Sequence, residues 1–110
     1  MKTPPSFRPK KRYIAFRIHA PAPVPYPALQ EAVTESLLEF LGERDFAKAT
    51  PRLLRQLCSG TRGVLVTTPP FVDACKVALA LVHQIQDQPV LLETRRVSGT
   101  IASLKGALRG

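Results

Sequence analysis

The side chains of this sequence best suited to binding chemistry are cationic and hydroxyl groups near its two ends. Arg95 and Arg96 end an alternating segment, and Ser98 and Thr100 follow them in a short polar turn. A second basic run extends from Lys10 to Arg17. Guanidinium and ammonium groups form charge-assisted hydrogen bonds with phosphate oxygens, and hydroxyl groups add neutral donors. These residue types and their spacing predict binding of a polyanion.

The same sequence gives little support for catalysis. His19 and His83 have no cysteine or carboxylate arrangement at metal-ligand spacing, apart from the single carboxylate of Asp87 four residues after His83. No histidine or lysine is placed by the sequence to activate Ser98 or Thr100 as a nucleophile. The Gly-rich loop of nucleotide hydrolases is not found in the sequence. We therefore expect no catalytic residue and no metal site, and a small-molecule enzyme is the least supported class.

Charge is both unequal and segregated along the chain. Sixteen Lys and Arg face eight Asp and Glu, which gives a formal charge of +8 and a pI of about 10.2. Five of the eight acidic residues fall between Glu31 and Asp45. Clustered cations favour nucleic acid, because neutralising phosphates releases counterions. The pattern predicts a basic face for nucleic acid and an acidic helix elsewhere. A protein-interaction module with a basic surface is the alternative.

Length and composition indicate a single domain. The 110 residues suffice for one core, and no apolar run approaches the roughly 18 residues needed to span a bilayer. The basic N-terminus leads into prolines and not into an apolar segment, so we expect a cytoplasmic protein without a membrane partner. Cys58 and Cys75 are interpreted as reduced core residues. Residues 1–11 are predicted to form a flexible basic arm and residues 12–110 the domain.

Hydrophobic periodicity predicts an α+β fold. Ile14, Phe16 and Ile18 alternate with polar or small residues, as in a half-buried strand. Gly42 is expected to end the first helix. The predicted elements, in order, are a strand at 12–19, a helix at 26–41, strands at 52–58 and 63–67 joined as a hairpin, a helix from about 71 to 85, a strand at 90–97 and a short helix at 102–108. This order is that of the ferredoxin-like or RRM-like sandwich, a four-stranded antiparallel sheet with two helices on one face and here a short C-terminal helix.

That fold makes the first and last strands neighbours, so that Lys10 to Arg12 are expected beside Arg95 to Val97. Tyr13 and Arg17 are expected on the open face, where an aromatic ring can stack on a base while guanidinium groups hold phosphates. Alternatively, Tyr13 lies under the terminal helix. The candidate RNA-binding residues are Lys10, Lys11, Arg12, Tyr13, Arg17, Arg62, Arg95, Arg96, Ser98, Thr100 and Lys105.

Four segments in order resemble a known family. They are Lys11 to Phe16 in the first strand, Phe40 to Glu43 at the end of the first helix, Ala78 to Leu81 in the second helix and Val97 to Ile101 after the last strand. Together they resemble the ribonuclease P protein component 2 family of archaea and eukaryotes, over nearly the whole stretch from residue 11 to residue 104. An archaeal member is expected.

The resemblance implies a noncatalytic protein subunit that binds and supports a catalytic RNA. That RNA removes the 5′ leader from precursor tRNA with magnesium ions, so the chain itself needs no cofactor and no active site. The resemblance also implies a second protein, the TIM-barrel-like component 3, in a heterotetramer with this subunit. The alternative is a protein–protein interaction module of another ribonucleoprotein, binding through the same basic sheet edge.

Overall fold

The computed structural model describes residues 10–105 of the chain, which form an α+β sandwich. The elements are β1 Arg12–His19, α1 Tyr26–Ala49, β2 Arg52–Leu53, β3 Arg62–Thr67, α2 Val72–Leu81, β4 Gln84–Ile85, β5 Gln88–Pro89 and β6 Leu91–Ser98. Four strands make one antiparallel sheet in the order β2-β3-β1-β6, and β4 and β5 pair as a separate small hairpin. This arrangement confirms the ferredoxin-like prediction.

The main core lies between the sheet and the two helices. Ile14, Phe16 and Ile18 of β1 point to this side, as their alternation predicts, and pack in one cluster with the buried stripe of α1 and with Leu79 of α2. The ring of Phe16 lies over Gly63 on the neighbouring strand, where a Cβ atom would come within 2.5 Å of the ring. Burying each large apolar side chain contributes about 1.5–3 kcal/mol, so this cluster supplies most of the driving force for folding.

A second, smaller cluster covers part of the opposite face of the sheet. It consists of Ala15, Val64 and Leu104, with Tyr13 packed against its border. Leu104 belongs to a short 3-10 turn, Ala102–Leu104, and its side chain is fully buried. The C-terminal segment therefore folds back over the middle of the sheet face that was predicted to be open.

The first helix is longer than predicted. Gly42 does interrupt it, with φ 79° and ψ 164°, a conformation that residues with a Cβ atom rarely adopt. The chain then resumes a helical path to Ala49, because Phe46 packs against the main core and Ala49 is buried. The helix ends where the backbone N–H of Thr50, in a left-handed conformation, donates to the carbonyl of Phe46.

The second helix is shorter than predicted, since it ends at Leu81 and not near residue 85. Val82 leaves the helix with an extended backbone. The chain then turns at Gln86 and Asp87, both with positive φ, to form the β4–β5 hairpin. Ile85 remains buried, but it reaches the core from a hairpin strand. Its helical spacing from α2 was therefore misleading.

The second predicted strand is also corrected. The predicted strand 52–58 is regular only at Arg52–Leu53, and a 3-10 turn at Arg55–Leu57 replaces its second half. Leu54 and Leu57 border the second cluster, which draws this segment out of the sheet. Of the terminal helix predicted at 102–108, Ala102–Leu104 form a 3-10 turn that Lys105 continues in a helical conformation, and residues 106–108 lie outside the described residues.

The predicted basic arm likewise falls mostly on residues 1–9, outside the described part. Lys10 and Lys11 precede β1, which begins at Arg12 as predicted. Within residues 10–105, no helix is both long and apolar enough to cross a membrane.

Candidate nucleic-acid interface

A β-bulge at Arg95 organises the cationic face of the sheet. Arg96 pairs with Ala15 of β1, whereas the preceding pair joins Thr94 to Phe16, so Arg95 is the extra residue of the ladder. In an antiparallel ladder, paired residues share a face. Because Phe16 points to the core and Ala15 away from it, Thr94 faces inward and Arg96 faces outward.

The bulge reverses the orientation that strict alternation would give Arg96. Leu92 is buried in the core, so counting in steps of two would turn Thr94 and then Arg96 inward. An inserted residue shifts the alternation by one and re-aims the side chains that follow it. Arg95 and Arg96 are consequently both exposed at consecutive positions.

The predicted single patch is corrected to two groups at opposite ends of β1. The first and last strands are neighbours, as expected, but their register is offset from the predicted one. Val97 lies opposite Ile14, and the guanidinium of Arg12 lies beside Gly99, about 3.5 Å from where a Cβ atom would stand. Lys10 to Arg12 are thus not beside Arg95 to Val97. Five residues of strand, roughly 17 Å, separate Arg12 from Arg17.

The first group, called here the arginine group, consists of Arg17, Arg62, Arg95 and Arg96. Arg17 stands in the middle of the sheet, opposite Arg62 on β3 and Glu93 on β6. All four side chains belong to exposed residues. This end of the face therefore presents four guanidinium groups on three adjacent strands, at a strand spacing of about 4.8 Å.

Glu93 is an acidic side chain that lies next to the arginine group. Its Oε1 atom lies 2.9 Å from Nε2 of His19 and accepts a 3.2 Å hydrogen bond from Nη1 of Arg95. These two hydrogen bonds, first that of His19 and then that of Arg95, lower the pKa of Glu93. The three side chains are each about half exposed, so solvent screens the pairs and Arg95 stays accessible.

At the other end of β1, Ser98 and Thr100 build the turn after β6. The Ser98 hydroxyl accepts a 3.1 Å hydrogen bond from the Thr100 N–H and contacts the Ser103 hydroxyl. The Thr100 hydroxyl in turn accepts from the Ser103 N–H at 3.4 Å. Their visible role is to fold the C-terminal segment toward the sheet. Lys105 is exposed directly after this segment.

Tyr13 lies where the alternative interpretation put it. Its residue is half-buried and packs against the cluster that contains Leu104, opposite Ser98 on β6. The C-terminal segment therefore covers part of its surroundings. RNA contact by Tyr13, Ser98, Thr100 and Lys105 stays a prediction.

The second cationic group, at the other end of β1 and on its β2 side, was partly missed. Lys10, Lys11 and Arg52 line a groove of about 310 Å³ together with Thr50 and Thr68. Arg52 was not among the candidates. The predicted strand order was sufficient to include Arg52. In that order β2 pairs with β3, and the C-terminal end of β3 lies against the start of β1. Lysines before β1 and an arginine that starts β2 therefore meet at one end of the sheet.

The described residues offer cations and hydroxyl groups and no assembled metal ligands. Within residues 10–105, no three His, Cys, Asp or Glu side chains stand in an arrangement that could hold a metal ion. Burial raises the pKa of Cys58 and of Cys75, which keeps both thiols protonated at neutral pH. The exposed guanidinium groups on this face can bind anions.

Together, the fold and this surface define a ferredoxin-like domain with a cationic sheet face. A profile of the Rpp14/Pop5 family matches residues 12–109. The chain belongs to this family, which confirms the resemblance inferred from the sequence.

Curated relatives named ribonuclease P protein component 2 are similar over 93% of this chain. The relative from Thermococcus gammatolerans is 34% identical, with 85% of its length covered. That from Archaeoglobus fulgidus is 38% identical with 91% covered, and that from Methanocaldococcus jannaschii is 32% identical with 75% covered. All three organisms are archaea, in agreement with the expected archaeal affinity.

Proposed function

We propose that this chain is a noncatalytic protein subunit of ribonuclease P that binds the catalytic RNA through the arginine group. Its membership of the Rpp14/Pop5 family supports the assignment to this ribonucleoprotein. The observation that carries the RNA-binding role is the outward position of Arg96, which the bulge brings beside Arg95. Guanidinium groups at strand spacing on one face suit a phosphate backbone, which they can contact with paired hydrogen bonds.

In this mechanism the protein supplies binding energy and position, and the RNA supplies the chemistry. Each cation that neutralises a phosphate releases a condensed counterion, which favours association in a salt-dependent way. The RNA removes the 5′ leader of precursor tRNA and uses magnesium ions, which the RNA itself binds. The chain stabilises the folded RNA by lowering phosphate repulsion.

The proposed partners follow from the family. They are the ribonuclease P RNA and the TIM-barrel-like component 3 protein, with two copies of each protein in a heterotetramer. Precursor tRNA is the substrate of the whole complex. The proposed compartment is the cytoplasm.

Replacement of both bulge arginines tests the RNA contact. The variant Arg95→Ala/Arg96→Ala should bind the ribonuclease P RNA more weakly, and the slope of log affinity against log salt should fall by about 0.7–0.9 for each lost phosphate contact. Filter binding or fluorescence anisotropy at several salt concentrations measures both quantities. The matched control is Lys76→Ala, which removes an exposed cation on α2, on the helix side of the sheet. An unchanged slope and affinity in the double variant would contradict the assignment.

Reconstitution tests the proposed function as a whole. Precursor-tRNA cleavage is measured at limiting magnesium with the RNA subunit and component 3, with and without this chain. Stimulation is expected, because the added cations replace part of the magnesium needed to fold the RNA. Cleavage that does not respond to the chain would refute the function. Recovery of an acidic protein partner that is insensitive to ribonuclease but lost in Arg95→Ala/Arg96→Ala, with no RNA recovered, would favour the interaction module instead.

A further inference from the structure

The helix side of the molecule carries a groove whose chemistry is opposite to that of the sheet face. It runs between α1 and the end of α2 and has a volume of about 620 Å³. Ala32, Ser36 and Phe40 line it from α1, and Leu81 lines it from α2. The Ser36 hydroxyl donates a 2.7 Å hydrogen bond to the Ala78 carbonyl, which ties the two helices together. The groove is thus a fixed feature of the helix pair.

Large apolar side chains stand exposed in this groove. Phe40 is 46% exposed and Leu81 is 54% exposed, although both belong to helices that pack well elsewhere. Val77, one helical turn before Leu81 and on the same side of α2, is 44% exposed. A grouped apolar surface with a polar rim is typical of an interaction site, since its burial is favourable.

The rim of the groove is acidic. Glu35 and Glu39 line it, and Glu31 continues the same row one turn earlier, in the adjoining pocket. Among the described lining residues there is no Lys or Arg. In a chain of net charge +8, this is a local reversal of sign that selects for cations.

The charge of the rim excludes two of the available occupants. RNA phosphates would meet like charges at Glu35 and Glu39, so the polyanion belongs on the sheet face. A second copy that paired through the same surface would oppose acidic rim to acidic rim, because a two-fold interface brings identical patches together. A segment of another protein that carries Lys or Arg on both sides of its apolar residues would not be repelled by Glu35 and Glu39.

We propose that this groove docks an amphipathic segment of a protein partner, with an apolar stripe flanked by Lys or Arg. The inference rests on the proposed function in one respect, namely that RNA occupies the sheet face. An apolar side chain of the partner inserts between Phe40 and Leu81, over the small residues Ala32 and Ser36. Its flanking cations pair with Glu35 and Glu39. This is helix-in-groove recognition, in which buried apolar anchors give affinity and the charged rim gives specificity.

The test uses the full chain and a defined probe, a fluorescein-labelled helical peptide of leucine and lysine with the leucines on one face. Fluorescence anisotropy should show saturable binding. The peptide with glutamate in place of lysine should bind at least about tenfold more weakly, because its charges repel the rim. NMR shifts of the Ala32 and Ser36 amides should change on binding, whereas those of β6 should not.

Matched variants separate the groove from general attraction between charges. Phe40→Ala/Leu81→Ala should weaken peptide binding at least about tenfold, and Glu35→Gln/Glu39→Gln should weaken it several-fold. The control Glu43→Gln/Asp45→Gln makes the same change of charge outside the groove and should leave binding within twofold. Thermal melting checks each fold, which these exposed positions should preserve.

Several results would overturn the proposal. The first is that the peptide does not bind. The second is that the control variant loses as much peptide affinity as the groove variants do, and the third is that Phe40→Ala/Leu81→Ala leaves peptide affinity unaltered. A change of oligomeric state of the free chain in the groove variants would assign the surface to a second copy. RNA affinity and its salt slope are measured in parallel and should be unchanged in the groove variants. A wild-type chain that binds the peptide but not the RNA would refute the proposed function and leave the groove in place.

Discussion

The direction of the Arg96 side chain is set by the neighbouring residue Arg95. Its type was recognisable from the sequence as suited to phosphate binding, but its direction was not. Alternation from the buried Leu92 would have turned it toward the core opposite Ile14, which is unfavourable for an unpaired charge. The inserted Arg95 resolves this conflict, and only the pairing with β1 reveals which residue is the extra one.

The charge of Glu93 should reduce the affinity of the arginine group for RNA. Because it pairs with Arg95 and lies opposite Arg17, Glu93→Gln should remove a repulsive charge and release a guanidinium for phosphate. RNA affinity at pH 7 should rise by about two- to fivefold, the range of exposed ion pairs. Titration by anisotropy measures it, with Asp73→Gln as the control, since Asp73 is an exposed carboxylate on α2. A loss of affinity would show that Glu93 instead orients Arg95 for binding.

The pH dependence of this effect follows from the direction of the pKa shift. The lowered pKa means that Glu93 remains ionised as the pH falls toward 4.5, the ordinary value for a glutamate. The ion pair is therefore complete above that pH and is lost only as the pH falls through the lowered pKa. Loss of the difference in RNA affinity between the wild-type chain and Glu93→Gln through protonation of Glu93 should therefore require a pH below 4.5.

The spacing of apolar residues predicted which segments form strands and which form helices. Local backbone conformation determined where these elements end. The apolar spacing of α2 continued through Ile85, but that residue is buried just as well from a hairpin. The turn at Gln86 and Asp87 lacks the glycine that usually marks such a turn, so it could not be predicted from a glycine signal. Gly42 was expected to end α1, but it only interrupts the helix. The packing of Phe46 beyond it depends on tertiary contacts that a local pattern does not contain.

The C-terminal 3-10 turn is held to the sheet mainly by Leu104, which makes its attachment testable. Leu104→Ala should lower the free energy of unfolding by about 2–4 kcal/mol, because it leaves a cavity over Ala15 and Val64. Urea denaturation followed by circular dichroism measures the change. The control Ile101→Ala truncates a side chain that is 39% exposed and should cost less than about 1 kcal/mol. Equal costs for the two variants would show that Leu104 does not anchor the turn.

At the scale of the whole molecule, the two faces of the sandwich carry opposite chemistry. The bias was visible in the sequence, where the acidic residues concentrate between Glu31 and Asp45 and the cations near the chain ends. Those cations were predicted to form one joint patch. Strand register instead divides them into the arginine group at one end of β1 and, at the other end, Arg12 beside the turn after β6 and the groove of Lys10, Lys11 and Arg52.

This charge distribution should orient the chain as it approaches RNA. The association rate constant, measured by stopped-flow fluorescence, should fall as salt rises from 0.01 to 0.1 M, because the Debye length shrinks from about 30 to about 10 Å. Arg96→Glu and Lys76→Glu lower the net charge equally, but on the sheet side and the helix side respectively. The first should slow association more. Equal slowing by the two variants would mean that net charge alone, without orientation, sets the rate.

The bulge in β6 has one more consequence, for solubility. In the strand order β2-β3-β1-β6, β6 is an outermost strand, and its free backbone groups are a template on which another chain can add a strand. The irregular ladder at Arg95, with charged side chains at Glu93, Arg95 and Arg96, interrupts that template. The two arginines that are proposed to bind phosphate therefore also help, together with Glu93, to protect the protein against intermolecular β-sheet growth.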